Sequence, residues 1–113
     1  MSVPASYHTP FGVHKAVSAG ATVEAVAATS GRRYWVTGIS VDITTAGAAG
    51  TTVVVEEKTG ATDIVKCDAS AVGQKSWWFG ERGYPLTNGQ GIQIINGTAV
   101  VSEVNVTGYW EKP

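Results

Sequence analysis

Residues 32–44 (RRYWVTGISVDIT) constrain the fold more than any other segment. Trp35, Thr37, Ile39, Val41 and Ile43 share one face, and Tyr34, Val36, Gly38, Ser40, Asp42 and Thr44 share the other. This is period-2 alternation over more than two helical turns, a spacing that lines one side of a strand and winds around a helix. A strand this long is expected to bend, and Gly38 is the natural place. The rest of the chain is built from the same material. Sixteen Val, 6 Ile and 13 Thr make 35 β-branched residues in 113, against a single leucine, Leu86. β-branched side chains are stiff at χ1 and pack well on a pleated surface, whereas helical cores lean on Leu. The composition is that of an all-β protein, with 14 Gly available for turns and bulges.

Reading along the chain, residues 1–20 are expected to form an extended N-terminal arm, because Pro4 and Pro10 interrupt regular pairing. Residues 21–113 are expected to form a single β-sandwich domain. Its strands fall at 22–29, 32–44, 51–58, 61–67, 75–79, 84–86, 91–95 and 99–110. Thr59-Gly60 closes a hairpin, and Asn96-Gly97 reads as a two-residue hairpin turn in which both positions can take positive φ. About eight strands spaced 8–12 residues apart, with no helical segment between them, argue for an antiparallel sandwich.

Little in the sequence points to catalysis. A net charge of −1 argues against nucleic acid as a partner. Cys67 is the lone cysteine, so an intrachain disulfide is excluded, and it has no basic cluster around it to activate the thiol. His8 and His14 lie in the proline-bearing segment, which fixes neither ring. Glu56 and Glu57 are adjacent on a strand and therefore point to opposite faces, which is not the geometry of an acid/base pair. Nucleophile-elbow, P-loop, HExxH and Cys-x-x-Cys patterns are absent. The expectation is a protein that is not an enzyme, with no catalytic residues, no cofactor and no metal. The first 20 residues hold no apolar run like that of a signal peptide, and no stretch is long enough for a membrane helix. Synthesis in a bacterial cytoplasm with no membrane partner is therefore expected.

The aromatic residues carry more information. Trp35 and Trp110 lie on apolar strand faces and are expected in the core with Ile39, Val41, Ile43, Val100, Val104 and Val106, leaving Asp42, Glu103 and Asn105 facing out. Trp77, Trp78 and Phe79 are consecutive, so they cannot all reach one core. At least one large ring is left outside, where it needs a cover. The expected cover is another subunit, with Tyr7 and Phe11 as anchors from the arm and Trp77, Trp78, Phe79, Arg82 and Tyr84 as the remaining interface residues. The alternative is a sugar platform built from Trp77, Trp78 and Tyr84.

The order of features carries a family resemblance. Gly31-Arg32-Arg33 opens the long strand, and a Gly/Ala loop and a Val-rich strand follow. Next come an aromatic segment ending in Pro, then Leu86, Gly89, Gly91 and Ile92 leading into a strand, and finally Val106-Thr107-Gly108-Tyr109-Trp110-Glu111. Over roughly residues 21–111 this resembles the small β-sandwich virion proteins of tailed bacteriophages: capsid decoration, head-fibre and tail-associated subunits. The resemblance implies a jelly-roll-like sandwich, a homotrimer, the major capsid protein or another virion protein as partner, and residence in the virion. It points first to a capsid decoration (cement) protein. The alternative is a carbohydrate- or receptor-binding module of a tail or fibre, with a glycan as ligand.

Overall fold

The computed structural model describes residues 8–58 and 62–112. Nine strands make up its regular structure: β1 (His8–Val17), β2 (Thr22–Val26), β3 (Arg33–Thr45), β4 (Thr52–Glu57), β5 (Asp63–Asp68), β6 (Gly73–Trp78), the two-residue β7 (Tyr84–Pro85), β8 (Ile92–Asn96) and β9 (Val101–Glu111). No helix occurs among the described residues. One antiparallel sheet runs β1-β9-β3-β6, with β7 also on β3, and the other runs β2-β8-β4-β5. Setting β7 aside, the first, last, third and sixth strands form one sheet and the second, seventh, fourth and fifth form the other. This is the strand order of a jelly roll, two Greek keys wrapped into a double sheet.

The core lies between the two sheets. Val36, Ile39, Val41, Ile43, Val104 and Val106 reach it from one side, and Val53, Val55, Val65, Ile92 and Ile94 from the other, nearly all of them without solvent contact. Leu86 is fully buried with them, and Cys67 packs among them as a small apolar side chain.

Three expectations require correction. The first concerns the arm. Residues 8–17 are strand β1, paired with β9 over ten positions from His8↔Glu111 to Val17↔Ser102. Phe11, Val13 and Val17 face the core. Pro10 does not prevent this, because among the described residues β1 is an edge strand that pairs with β9 alone. Pro4 and Tyr7 lie outside the described residues.

The second concerns the faces of β3. Its register against β9 shifts between Val36 and Gly38. Such a bulge inserts one unpaired residue and reverses the alternation beyond it. Tyr34 and Val36 are buried on one side of the bulge and Ile39, Val41 and Ile43 on the other. Gly38 does mark the bend, but the inward phase changes there, and Trp35 points outward instead of into the core. Trp110 keeps its inward phase and is half-buried against the core.

The third concerns Asn96-Gly97. Strands β8 and β9 belong to different sheets, so the segment is a corner of the sandwich and not a hairpin. Its turn closes from Val100 N–H to Gly97 C=O, and the residue with positive φ is Ala99. The Asn96 side chain is buried at this corner. Its Nδ2 lies 3.0 Å from the Val17 carbonyl, 3.2 Å from that of Ser18 and 2.9 Å from that of Val100. Its Oδ1 accepts from Ser102 Oγ at 2.8 Å. One amide thereby joins β1, β8 and β9 across both sheets, supplying backbone groups that have left their ladders.

The two glutamates of β4 are also buried and occupied. Glu57 accepts from Thr87 N–H at 2.6 Å and from Thr87 Oγ1 at 3.1 Å, pinning the loop before β8. Glu56 accepts from Gln93 Nε2 at 2.7 Å.

Candidate assembly surface

Among the described residues strand β6 lies at the open edge of its sheet, with β3 on one side only. Apart from half-buried Trp77, all of its residues are exposed. An open edge presents a row of backbone donors and acceptors to any chain that can pair with it. Natural edges are commonly blunted by proline, bulges or several charges, and Gly73-Gln74-Lys75-Ser76-Trp77-Trp78 carries a single lysine and neither a proline nor a bulge. Two large apolar side chains stand in solvent at its ends, Val72 at 66% exposure and Trp78 at 69%.

Alternation explains why Trp78 is outside. Trp77 pairs with Ile39 and follows it toward the core, so Trp78, opposite Gly38, must face away. Gly38 leaves room beneath the indole: a Cβ there would lie 3.9 Å from Trp78 Cε3 and 3.1 Å from Thr107 Oγ1.

The same outer face carries an aromatic and arginine cluster. The Trp35 and Tyr109 rings stack with centroids 6.0 Å apart, 8° from parallel. The Arg33 and Arg82 guanidinium carbons stand 5.0 Å and 5.8 Å from the Trp35 ring. Trp35 Nε1 donates to Glu111 Oε1 at 2.9 Å, and His8 Nε2 meets Glu111 Oε2 at 3.3 Å. Tyr109 Oη donates to the Arg82 carbonyl at 2.8 Å, tying the loop after β6 to β9. Burial pushes the Tyr109 phenol above its ordinary pKa; the Glu111 charge adds to this and Arg82 opposes it. Trp, Tyr and Arg are the side chains that most often dominate binding energy at protein interfaces.

The structure divides the residues expected at an interface. Trp78 and Arg82 are exposed on this outer face. Trp77 and Phe79 pack against the protein's own core, and Phe79 meets Tyr84 edge-on at 6.1 Å. Phe11 is likewise internal, edge-on to Tyr34 at 5.6 Å. No platform of Trp77, Trp78 and Tyr84 forms, because Trp77 and Trp78 lie on opposite faces of β6. His8 and His14 share the outer face of β1 but have separate partners, Glu111 for His8 and Glu103 with Asn105 for His14. No group of three or more metal-ligating side chains is found among the described residues. Sequence reading missed Trp35, Tyr109 and Arg33 as members of the outer cluster. Alternation along β9 already puts Tyr109 on the outer face, and for Trp35 and Arg33 the missing signal is the change of phase at the Gly38 bulge.

No family model matches the chain, and no curated protein matches it in sequence. Among solved structures, a chain of the cyanophage Pam1 capsid asymmetric unit aligns over 94% of this chain and 82% of its own length, at 14% identity and a TM-score of 0.48.

Proposed function

We propose that this protein is a non-enzymatic structural subunit of a phage virion, a capsid decoration protein that forms a homotrimer and binds the head lattice. The exposed Trp78 at the end of the open β6 edge carries this reading. A ring that stands 69% in solvent beside an open strand edge is the kind of apolar surface that a partner covers. The open edge offers main-chain pairing, and the Trp35–Tyr109–Arg82 cluster offers side-chain contacts on the same face. The jelly-roll order is in keeping with this role, since viral capsid subunits use it. The motif resemblance supports three copies, and a closed ring would remove the β6 edges from solvent. A decoration protein acts by mass action: binding the assembled lattice and not its free subunits stabilises the head.

The test uses virions that lack the protein. They should release DNA at a lower temperature than complete virions, adding the purified protein should restore the loss, and sedimentation should give the mass of a trimer. Unchanged virion stability together with a monomeric mass overturns the proposal. The exposed indole also supports a second reading, a glycan- or receptor-binding module of a tail or fibre. Saturable binding on a glycan array that is abolished by Trp78→Ala, with no association to heads, would establish it.

A further inference from the structure

A concave site lies at the end of the sandwich, away from the β6 edge. Ser30, Gly31, Arg32, Trp110 and Lys112 line an open cleft of about 600 Å³, within the volume range of small-molecule sites. The turn that forms its rim closes from Arg32 N–H to the Thr29 carbonyl at 3.2 Å, with Gly31 at φ +80°. The Arg32 guanidinium carbon stands 3.9 Å from the centre of the Trp110 ring. Stacking on an indole fixes a guanidinium plane and leaves its N–H edge free for a two-point contact with an oxyanion. Among the described residues neither Arg32 nor Lys112 has a carboxylate within ion-pair distance. Glu111 does not neutralise them: alternation turns it to the opposite face, where Trp35 and His8 occupy both its oxygens.

We propose that this cleft binds an acidic sugar residue, a uronate or sialate, with its carboxylate on the Arg32 fork and on Lys112. A cation pair selects the carboxylate. The cleft has room for a pyranose ring, and Ser30 on the rim offers a hydroxyl partner for sugar hydroxyls. The site is separate from Trp78 and does not depend on what covers the β6 edge.

The experiment titrates the full-length protein with galacturonate, glucuronate and N-acetylneuraminate, following tryptophan fluorescence and backbone amide shifts. The methyl esters and a pentaglutamate peptide serve as controls. At least one acid should bind saturably, about tenfold or more tighter than its ester. Arg32→Gln should remove most of that binding, Arg32→Lys should weaken it while keeping the charge, and Arg82→Gln should leave it unchanged. Thermal unfolding of each variant shows whether the fold persists, and Arg32→Lys serves as the test if Arg32→Gln does not fold. Absence of binding by every acid, equal binding of acid and ester, or indifference to both Arg32 substitutions overturns the proposal. Pentaglutamate binding as tight as the sugar acid and equally dependent on Arg32 also overturns it, and assigns the site to an acidic protein segment. Loss of sugar binding would leave the virion assay unaffected, so the two proposals fail separately.

Discussion

The indole of Trp35 lies flat against the phenol ring of Tyr109, 6.0 Å between centroids and 8° from parallel, on the outside of the sandwich. Two residues further along β3 the chain bulges, and Ile39 beyond it is buried at 2% exposure. The bulge decides which of the two side chains is core.

Ile39→Ala should therefore cost about 2–5 kcal/mol of unfolding free energy, from lost apolar burial plus the residual cavity. Trp35→Ala should cost less, because one face of its ring is open to the arginines and not packed in the core. Urea denaturation of both variants checks the order. An Ile39→Ala cost below about 0.5 kcal/mol, the range of a surface change, would place the bulge wrongly.

The corner amide of Asn96 gives the second prediction. Replacing it with Leu leaves the carbonyls of Val17 and Val100 and the Ser102 hydroxyl without their partner in a buried place. Each orphaned group costs about 1–3 kcal/mol, so the loss should exceed about 3 kcal/mol. Asn96→Asp should also destabilise, since a carboxylate has no donor for the carbonyls. Equilibrium unfolding monitored by circular dichroism reads both.

Strand β1 supplies the third. Removing residues 1–17 takes away an entire edge strand and exposes the β9 ladder and the inner faces of Val104 and Val106. The truncated protein should fail to fold, giving a disordered circular dichroism spectrum. A folded truncation would mean that β1 is dispensable, as an accessory arm would be.

Trp78→Ala gives the fourth. The ring is mostly in solvent in the single subunit, so the fold of that subunit should change little. A hot-spot tryptophan lost from an interface costs about 2 kcal/mol, on the order of thirtyfold in affinity. Analytical ultracentrifugation should show a shift toward monomer at equal concentration, with β-sheet circular dichroism unchanged.

Cys67 supplies a pH prediction. Burial holds its thiol above the ordinary value of 9.0, with a hydrogen bond from the Val53 backbone only partly offsetting it. The folded state therefore retains this proton where the unfolded chain has lost it, so unfolding releases a proton and stability falls as pH rises past about 9. Below that pH both states are protonated and the contribution is fully present. Cys67→Ala should flatten this part of the stability–pH profile, measured by denaturation between pH 7 and 10. At pH 8 the native thiol should react with a disulfide reagent far more slowly than the denatured one.

The β-branched composition and the alternation in residues 32–44 determined the fold class without help. Stiff side chains at every second position can be satisfied only on a pleated sheet with one buried face, and turn residues every 8–12 positions cut that sheet into about the right number of strands. The isolation of Trp78 from the core was legible too, because neighbours on a strand point to opposite sides. Tertiary structure decided the rest. Period-2 alternation fixes which residues go together but not where a bulge reverses the phase, so the inward face of β3 before Gly38 was open until β9 paired with it. Pro10 forbids a central strand and permits an edge, and only the sheet order says which β1 is. Asn96-Gly97 has the local chemistry of a hairpin. Its role as the joint between two sheets arises from carbonyls 79 and 78 residues away in sequence, those of Val17 and Ser18, which no local pattern contains. The Arg32–Trp110 cleft is of the same kind: its two halves lie at distant points of the chain, and the pairing of β3 with β9 brings them together.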